Sequence, residues 1–505
     1  MGNSKLSYVN RRSDKGSSAG ISRREFLVGA GAASALCIVG GFGLVSCTPK
    51  SQGNSEDAAR EAYDIVIIGT GGAGMSAAIA AYDKGATNIV LLEKMGINGG
   101  NTNFSSSGMN ASETKFQKAQ GIEDSNDLFA EETFIGGHET ANRELVDYMC
   151  TNSAHAIDWL DELGITLDNI TLMGGMSVRR CHRPTDGSAV GQVLVPQLRA
   201  QIQNRDIDVE MNCQATGLIL NDEGVVVGVE AQRRGEKVTF DARAVIVATG
   251  GLGANQEMVT RYRPDLEGFV TTNQEGATGD GYVLAENVGA ELIQMDQIQI
   301  HPTVEQKTAT LIAEGIRGSG AILVNEQGNR FCDEMSTRDV VSEAIIEQPN
   351  SFAWEIFDQI VYDANKAIER YDEQGIVVHG ANISELAEAI NADPSALLAT
   401  LDSYNRISTE GAADSFGRTQ GCISFAPGTL YAIQVAPAIH HEQGGIKINT
   451  KCEVLRSDGS SIPGLYAAGE VTGGIHGNNR IGGNAVCDII VNGINVGETA
   501  AASVK

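Results

Sequence analysis

Short apolar runs that end in glycine recur along this chain and outline its architecture. Tyr63-Asp64-Ile65-Val66-Ile67-Ile68 is the first. A strand buried on both faces reads as a near-continuous apolar run rich in β-branched residues, so this segment predicts a parallel strand inside a sheet. Gly69-Thr70-Gly71-Gly72-Ala73-Gly74 follows at once, and Met75 to Lys84 then predicts a helix. A second run, Ile89-Val90-Leu91-Leu92, ends in Glu93-Lys94. Ala244-Val245-Ile246-Val247-Ala248-Thr249-Gly250-Gly251 and Gly464-Leu465-Tyr466-Ala467-Ala468-Gly469-Glu470 repeat the form much later. Between those two, Asn382 to Ile390 and Pro394 to Asn405 predict helices.

The 60 glycines change the picture because they cluster after the apolar runs, where a backbone turns tightly or approaches a ligand. In the first unit, Glu93 stands roughly two dozen positions after Gly69, near the ~20 expected of a dinucleotide-binding unit. Glycines there let the backbone reach a pyrophosphate at the positive end of the helix, and the acid accepts a hydrogen bond from a ribose hydroxyl. That unit alone leaves FAD and NAD both open.

A net charge of −27 excludes a nucleic-acid partner, since phosphate binding needs a basic face. The nine cysteines include no C-x-x-C pair, so neither a zinc ribbon nor an attached c-type haem is written here, and no metal site is expected. Ser22-Arg23-Arg24-Glu25-Phe26-Leu27 resembles a twin-arginine export signal. A Gly/Ala-rich apolar stretch runs from Leu27 to Val45, and Leu44-Val45-Ser46-Cys47 resembles a lipobox with Cys47 as the acylated residue. The expectation is a signal over 1–47, a linker over 48–60, and a lipid anchor on the outer face of the cytoplasmic membrane.

Further motifs tip the cofactor to FAD. Gly99-Gly100-Asn101-Thr102 resembles the loop of FAD-binding reductases that wraps the pyrophosphate and flavin. Two blocks then stand out. The first holds Ile300-His301-Pro302-Thr303, Glu314-Gly315-Ile316-Arg317-Gly318, Asn329-Arg330-Phe331 and Ser336-Thr337-Arg338-Asp339. The second holds His440-His441-Glu442-Gln443-Gly444-Gly445 and His476-Gly477-Asn478-Asn479-Arg480-Ile481-Gly482-Gly483-Asn484. From about Tyr63 onward the chain resembles the flavoprotein subunit of the fumarate reductase/succinate dehydrogenase family. Within that family it resembles the soluble, exported flavocytochrome-type fumarate reductases and their urocanate-reductase relatives, here without a haem domain.

That resemblance implies an α/β fold. A Rossmann-like FAD-binding domain with a parallel sheet, at 61–298 and 439–505, is interrupted by an α+β capping domain at 299–438. It implies FAD held non-covalently, because the flavin-anchoring histidine of membrane-bound relatives has no match near Asn101-Thr102-Asn103. The implied contacts are Gly69, Gly71, Gly72, Ala73 and Gly74 in the first turn, with Glu93 and Lys94 after the second strand. Gly100, Asn101, Thr102, Ser107 and Gly108 follow in the next loop, then Ala215, Thr249, Gly250 and Asp280. Glu470, Arg480, Ala485 and Val486 complete the set.

For catalysis it implies that Arg480 and His440 hold one carboxylate of a small unsaturated substrate, with His301 at the other end. Arg338 protonates the substrate carbon, and Glu314 and Arg317 return the proton. Electrons come from a separate cytochrome or flavoprotein at the membrane, in anaerobic respiration. Two departures bear on the substrate: Ala313 stands where the family has a carboxylate-binding threonine, and Leu311 where it has a pocket methionine, while Met173 matches the family's other pocket methionine. A bulkier or less symmetric enoate than fumarate, such as an aryl acrylate, then becomes an alternative, while His301 argues against urocanate. L-aspartate oxidase-like, ketosteroid dehydrogenase-like and non-catalytic flavoproteins are the rival classes.

Overall fold

The computed structural model describes residues 59–505. The export signal and lipobox at 1–47, and the linker up to residue 58, lie outside the described residues. The first strand, β1 (Ala59–Ile68), starts two residues inside the segment expected to be linker. Arg60 explains the extension, because its guanidinium grips Asp241 on the neighbouring strand at 2.6 and 2.7 Å.

β1 lies between β2 (Ile89–Glu93) and the strand Glu236–Val247, parallel to both, with Ile65 opposite Ile89 on one side and Ala244 on the other. Asp208–Met211 extends the parallel set beside β2, and Ser461–Ala467 extends it beside Glu236–Val247. Cys213–Leu220, Val226–Arg233 and Glu453–Leu455 complete the eight-stranded sheet with antiparallel pairings. Ile65, Val66 and Ile67 are fully buried, as an uninterrupted apolar run in a central strand requires.

The helix after β1, α1 (Gly72–Asp83), starts three residues before Met75. The glycine turn itself forms the first helical turn: Gly71 is the N-cap, and the Met75 amide donates to its carbonyl at 3.0 Å. Against α1 packs the C-terminal helix Asn484–Ser503.

A second sheet of six strands is antiparallel throughout and draws its strands from Ile298–Glu305 through Leu430–Glu442. Helices Arg338–Ile346, Ile383–Ile390 and Pro394–Glu410 accompany it. Asn382 and Asp393 cap the last two, and the second of these runs on past Asn405 to a left-handed Gly411. The 13-residue strand Leu430–Glu442 spans from this sheet toward the first and delivers His440, His441 and Glu442 there. Among the described residues no helix is long and apolar enough to cross a membrane, and the seven cysteines are unpaired.

Candidate active site

A cavity lies at the carboxyl ends of the parallel strands. Gly69, Gly71, Gly72 and Ala73 form one wall, Glu93 and Lys94 a second, and Gly100, Asn101 and Thr102 a third. Ala215, Thr249, Gly250, Asp280 and Glu470 close it. Gly69 has φ +108°, and a Cβ there would sit 2.3 Å from the Ala248 carbonyl oxygen. Gly74 lies outside the wall; its missing Cβ, which would come 2.1 Å from the Gly69 oxygen, lets helix and strand meet.

The polar groups of this cavity are held in place. Glu93 Oε2 accepts from the Thr70 hydroxyl at 2.6 Å and the Thr70 amide at 3.1 Å, and Oε1 accepts from the Met95 amide at 2.8 Å. Thr102 Oγ1 accepts from the Gly72 amide at 3.0 Å, tying the Gly100–Phe104 loop to the glycine turn. Lys94 Nζ reaches Asp280 Oδ2 at 3.0 Å. Burial by itself would push Asp280 up, yet Thr278, Lys94 and Gln214 outweigh it and hold the carboxyl below its ordinary range. A helix N-terminus free of side chains, a cradle that any Cβ would fill, and an anchored acid beside it together fit the pyrophosphate and ribose of FAD.

A larger cavity shares Asn101, Thr102 and Glu470 with the first. Ser107 and Gly108 line it, as do Ala485 and Val486 at the start of the C-terminal helix. Arg338, His440, His441 and Arg480 also form its wall. The residues expected at the flavin ring and, of those expected at the substrate, Arg338, His440 and Arg480 therefore face one space.

Arg338 opens the helix Arg338–Ile346 and is 6% exposed. Its Nη2 and Nε donate to Glu314 Oε2 at 2.8 and 3.2 Å. Burial pushes Glu314 up, but Arg338 and Arg317 outweigh it and keep the carboxylate charged. Arg317 donates from Nη1 to the Glu334 carbonyl at 2.7 Å and keeps buried Nε and Nη2 without partners. Burial, and then Arg338, bring Arg480 down to about 9.

Gln299 was not legible in the sequence. Its Oε1 accepts from Arg338 Nη1 at 3.1 Å and from Arg480 Nη2 at 3.1 Å, bridging the two guanidinium groups. Its Nε2 donates to Asn479 Oδ1 and the Arg480 carbonyl at 2.8 and 2.9 Å. No motif marks it, and a register shift between Gln299 and Ile300 breaks the alternation that would have placed it on a face.

The histidines differ. His440 Nδ1 pairs with the Thr272 hydroxyl at 2.8 Å, and the ring stands on the cavity wall. His301 is fully buried outside that wall; its Nδ1 accepts from the Thr303 amide at 3.2 Å and its ring meets His440 edge-on, with centroids 5.2 Å apart. Burial, then Arg338, holds both rings well below the ordinary histidine range, so both are neutral at neutral pH. The position expected to lack a threonine hydroxyl is filled differently: Tyr371 Oη accepts from the Ala313 amide at 3.2 Å and donates to the Leu311 carbonyl at 3.0 Å.

Residues 64–486 match the family described as FAD binding domain. NADH:fumarate oxidoreductase of Klebsiella pneumoniae (strain 342) is 49% identical over 88% of this chain, which spans only 48% of that protein's length. Fumarate reductase (cytochrome) of Shewanella frigidimarina is 42% identical over 88% of this chain and 78% of its own. The open conformation of a flavocytochrome c3 fumarate reductase superposes with a TM-score of 0.75 at 39% identity, covering 88% of this chain and 79% of that one. With the glycine cradle, the anchored acid and the paired guanidinium groups, these matches decide the family: the chain belongs to the FAD-binding flavoproteins of the fumarate reductase/succinate dehydrogenase family, and its cofactor is FAD.

Proposed function

We propose that this protein reduces the C=C bond of a small α,β-unsaturated carboxylate, drawing electrons from a separate cytochrome or flavoprotein donor in anaerobic respiration. The observation that carries the reading is the convergence of Arg338, Arg480 and His440 on one cavity, with Arg338 ion-paired to buried Glu314.

Arg480 supplies the carboxylate anchor, since its planar fork donates two parallel hydrogen bonds. Its side-chain partner is the neutral Gln299 oxygen and no carboxylate pairs with it directly, which leaves the charge available to a bound carboxylate. His440, with Nδ1 engaged by Thr272, offers its other nitrogen to the same carboxylate. Bound FAD, once reduced, supplies the hydride to the alkene carbon. Charge then develops on carboxylate oxygens already faced by a preorganised cation. The neighbouring carbon gains carbanion character and becomes basic enough to take a proton from Arg338, an acid too weak to protonate an ordinary base such as water. Glu314, 2.8 Å away and ionised at rest, passes a proton back to Arg338 only after taking one from Arg317, whose charge acts on it as the next carrier. His301, buried behind His440, buttresses that ring in this arrangement, and a direct contact with substrate would require the two to rearrange.

The reach of the cavity to Thr310, Leu311 and Arg370 supports an enoate bulkier or less symmetric than fumarate. Twin-arginine export and acylation at Cys47 remain part of the proposal and rest on the sequence alone. An anaerobic assay with reduced viologen and a panel of enoates tests the reading. Turnover of fumarate or an aryl acrylate supports it; viologen oxidation by none of the panel sinks it.

A further inference from the structure

Glu442 and Glu470 meet beside the flavin cavities. Glu442 ends the strand Leu430–Glu442, and Glu470 follows the strand Ser461–Ala467 and lines both cavities. The Glu442 amide donates to Glu470 Oε1 at 3.3 Å, and Asn101 Nδ2 donates to Glu470 Oε2 at 3.2 Å. Glu442 Oε2 accepts from the Leu252 amide at 3.0 Å, while its Oε1 is buried without a partner. A Cβ on Gly251 would come 1.8 Å from Glu442 Oε2 and 2.8 Å from Glu470 Oε1, so the two carboxyls crowd one point.

The other polar groups around the pair do little to neutralise two charges. Tyr282 donates its hydroxyl to the Glu470 carbonyl at 3.2 Å, Asn101 is neutral, and Arg480 favours ionised Glu470 without pairing with it. Two ionised carboxylates this close in a dry site repel and lose hydration, so the pair retains one proton. Glu442 is 2% exposed, and burial followed by Glu470 pushes it well above the ordinary carboxyl range.

We propose that Glu442 is a protonated positioning residue that holds Glu470 as an acceptor for FAD, so that FAD retention depends on the proton the pair shares. The inference rests on Glu470 facing FAD. Bound FAD adds a pyrophosphate anion and excludes water, both of which favour the singly protonated pair. Affinity therefore falls as pH rises through the pair's titration in the unloaded protein, by up to about tenfold per pH unit for one linked proton.

The test follows FAD release from diluted holoenzyme across a pH series, read by the fluorescence of free flavin. Wild type is expected to lose FAD progressively as pH rises, whereas Glu442→Gln keeps a neutral partner for Glu470 and shows no such slope. Equal slopes in the two proteins overturn the proposal. If Glu442→Gln does not load FAD, the infrared spectrum of wild-type holoenzyme decides. A buried protonated carboxyl band that titrates away at higher pH in the holoenzyme than in the FAD-free protein supports the shared proton, and an identical titration in the two overturns it. Neither readout involves turnover, so failure here is separate from failure of the enoate reading.

Discussion

Arg338 and Glu314 form a buried ion pair in which Nη2 and Nε, at 2.8 and 3.2 Å, share a single carboxylate oxygen. Both side chains are nearly inaccessible, at 7% and 6%, so the pair is little screened and its geometry is defined. One partner faces the cavity and the other does not, as the direction of the proposed proton relay requires.

Replacing Arg338 tests that direction. Arg338→Ala is expected to lower kcat by at least about 10²–10⁴-fold, the usual weight of general-acid help, while the flavin spectrum persists. Arg480→Ala is expected to raise KM as well, because it removes ground-state carboxylate binding together with transition-state stabilisation. Steady-state enoate reduction with viologen measures both. An Arg338→Ala enzyme that keeps most of its kcat would move the proton to another residue.

Gly482 offers a subtler probe. A Cβ there would lie 2.5 Å from Met173 Cε, 2.7 Å from Glu314 Oε2 and 3.0 Å from Arg338 Nη2. Gly482→Ala is therefore expected to displace the ion pair and depress kcat with FAD still bound. Unchanged kcat would show that the pair tolerates displacement.

Glu355 sets a pH dependence of stability. It lies on the strand Ala353–Asp358, fully buried, with neither carboxyl oxygen partnered. Burial pushes it up to about 7 from 4.5, against the pull of Arg317. Because the folded value is raised, its contribution is intact below about pH 4.5 and is lost as pH climbs through 7. Glu355→Gln is expected to match wild type near pH 5 and exceed its stability near pH 8 by up to about 3 kcal/mol. Denaturant unfolding at the two pH values measures the difference, and an equal offset at both would mean the group does not titrate.

The flavin should separate from the polypeptide on acid precipitation. Asn101, Thr102 and Asn103 occupy the loop next to the cavities, and none carries a nucleophile of the kind that tethers flavin through a histidine. Yellow colour retained in the washed pellet contradicts a non-covalent cofactor.

Export is tested on the precursor. Arg23→Lys with Arg24→Lys is expected to hold the protein in the cytoplasm, and Cys47→Ala to free it from the membrane fraction. Cys47→Ala protein that stays membrane-bound removes the lipid anchor from the account.

The sequence by itself determined the cofactor unit. The run Ile65–Ile68, the glycines after it and Glu93 are local in the chain, and covalent geometry leaves them few other uses. Family resemblance in contiguous motifs also named His440, Arg480 and Arg338, and these line the larger cavity. What tertiary structure decided is everything set by approach between distant segments. Gln299 bridges Arg338 and Arg480, 39 and 181 residues away, through a strand whose register shift erases its alternation. Tyr371 satisfies the backbone at Ala313 from 58 residues away. His301 lies behind His440 instead of beside the cavity because two strands pair there. Glu442 and Glu470 share a site because the strand Leu430–Glu442 ends against the first sheet. A contiguous motif reports which side chains are present; only the packing of strands determines which of them touch, and hence where charge and protons reside.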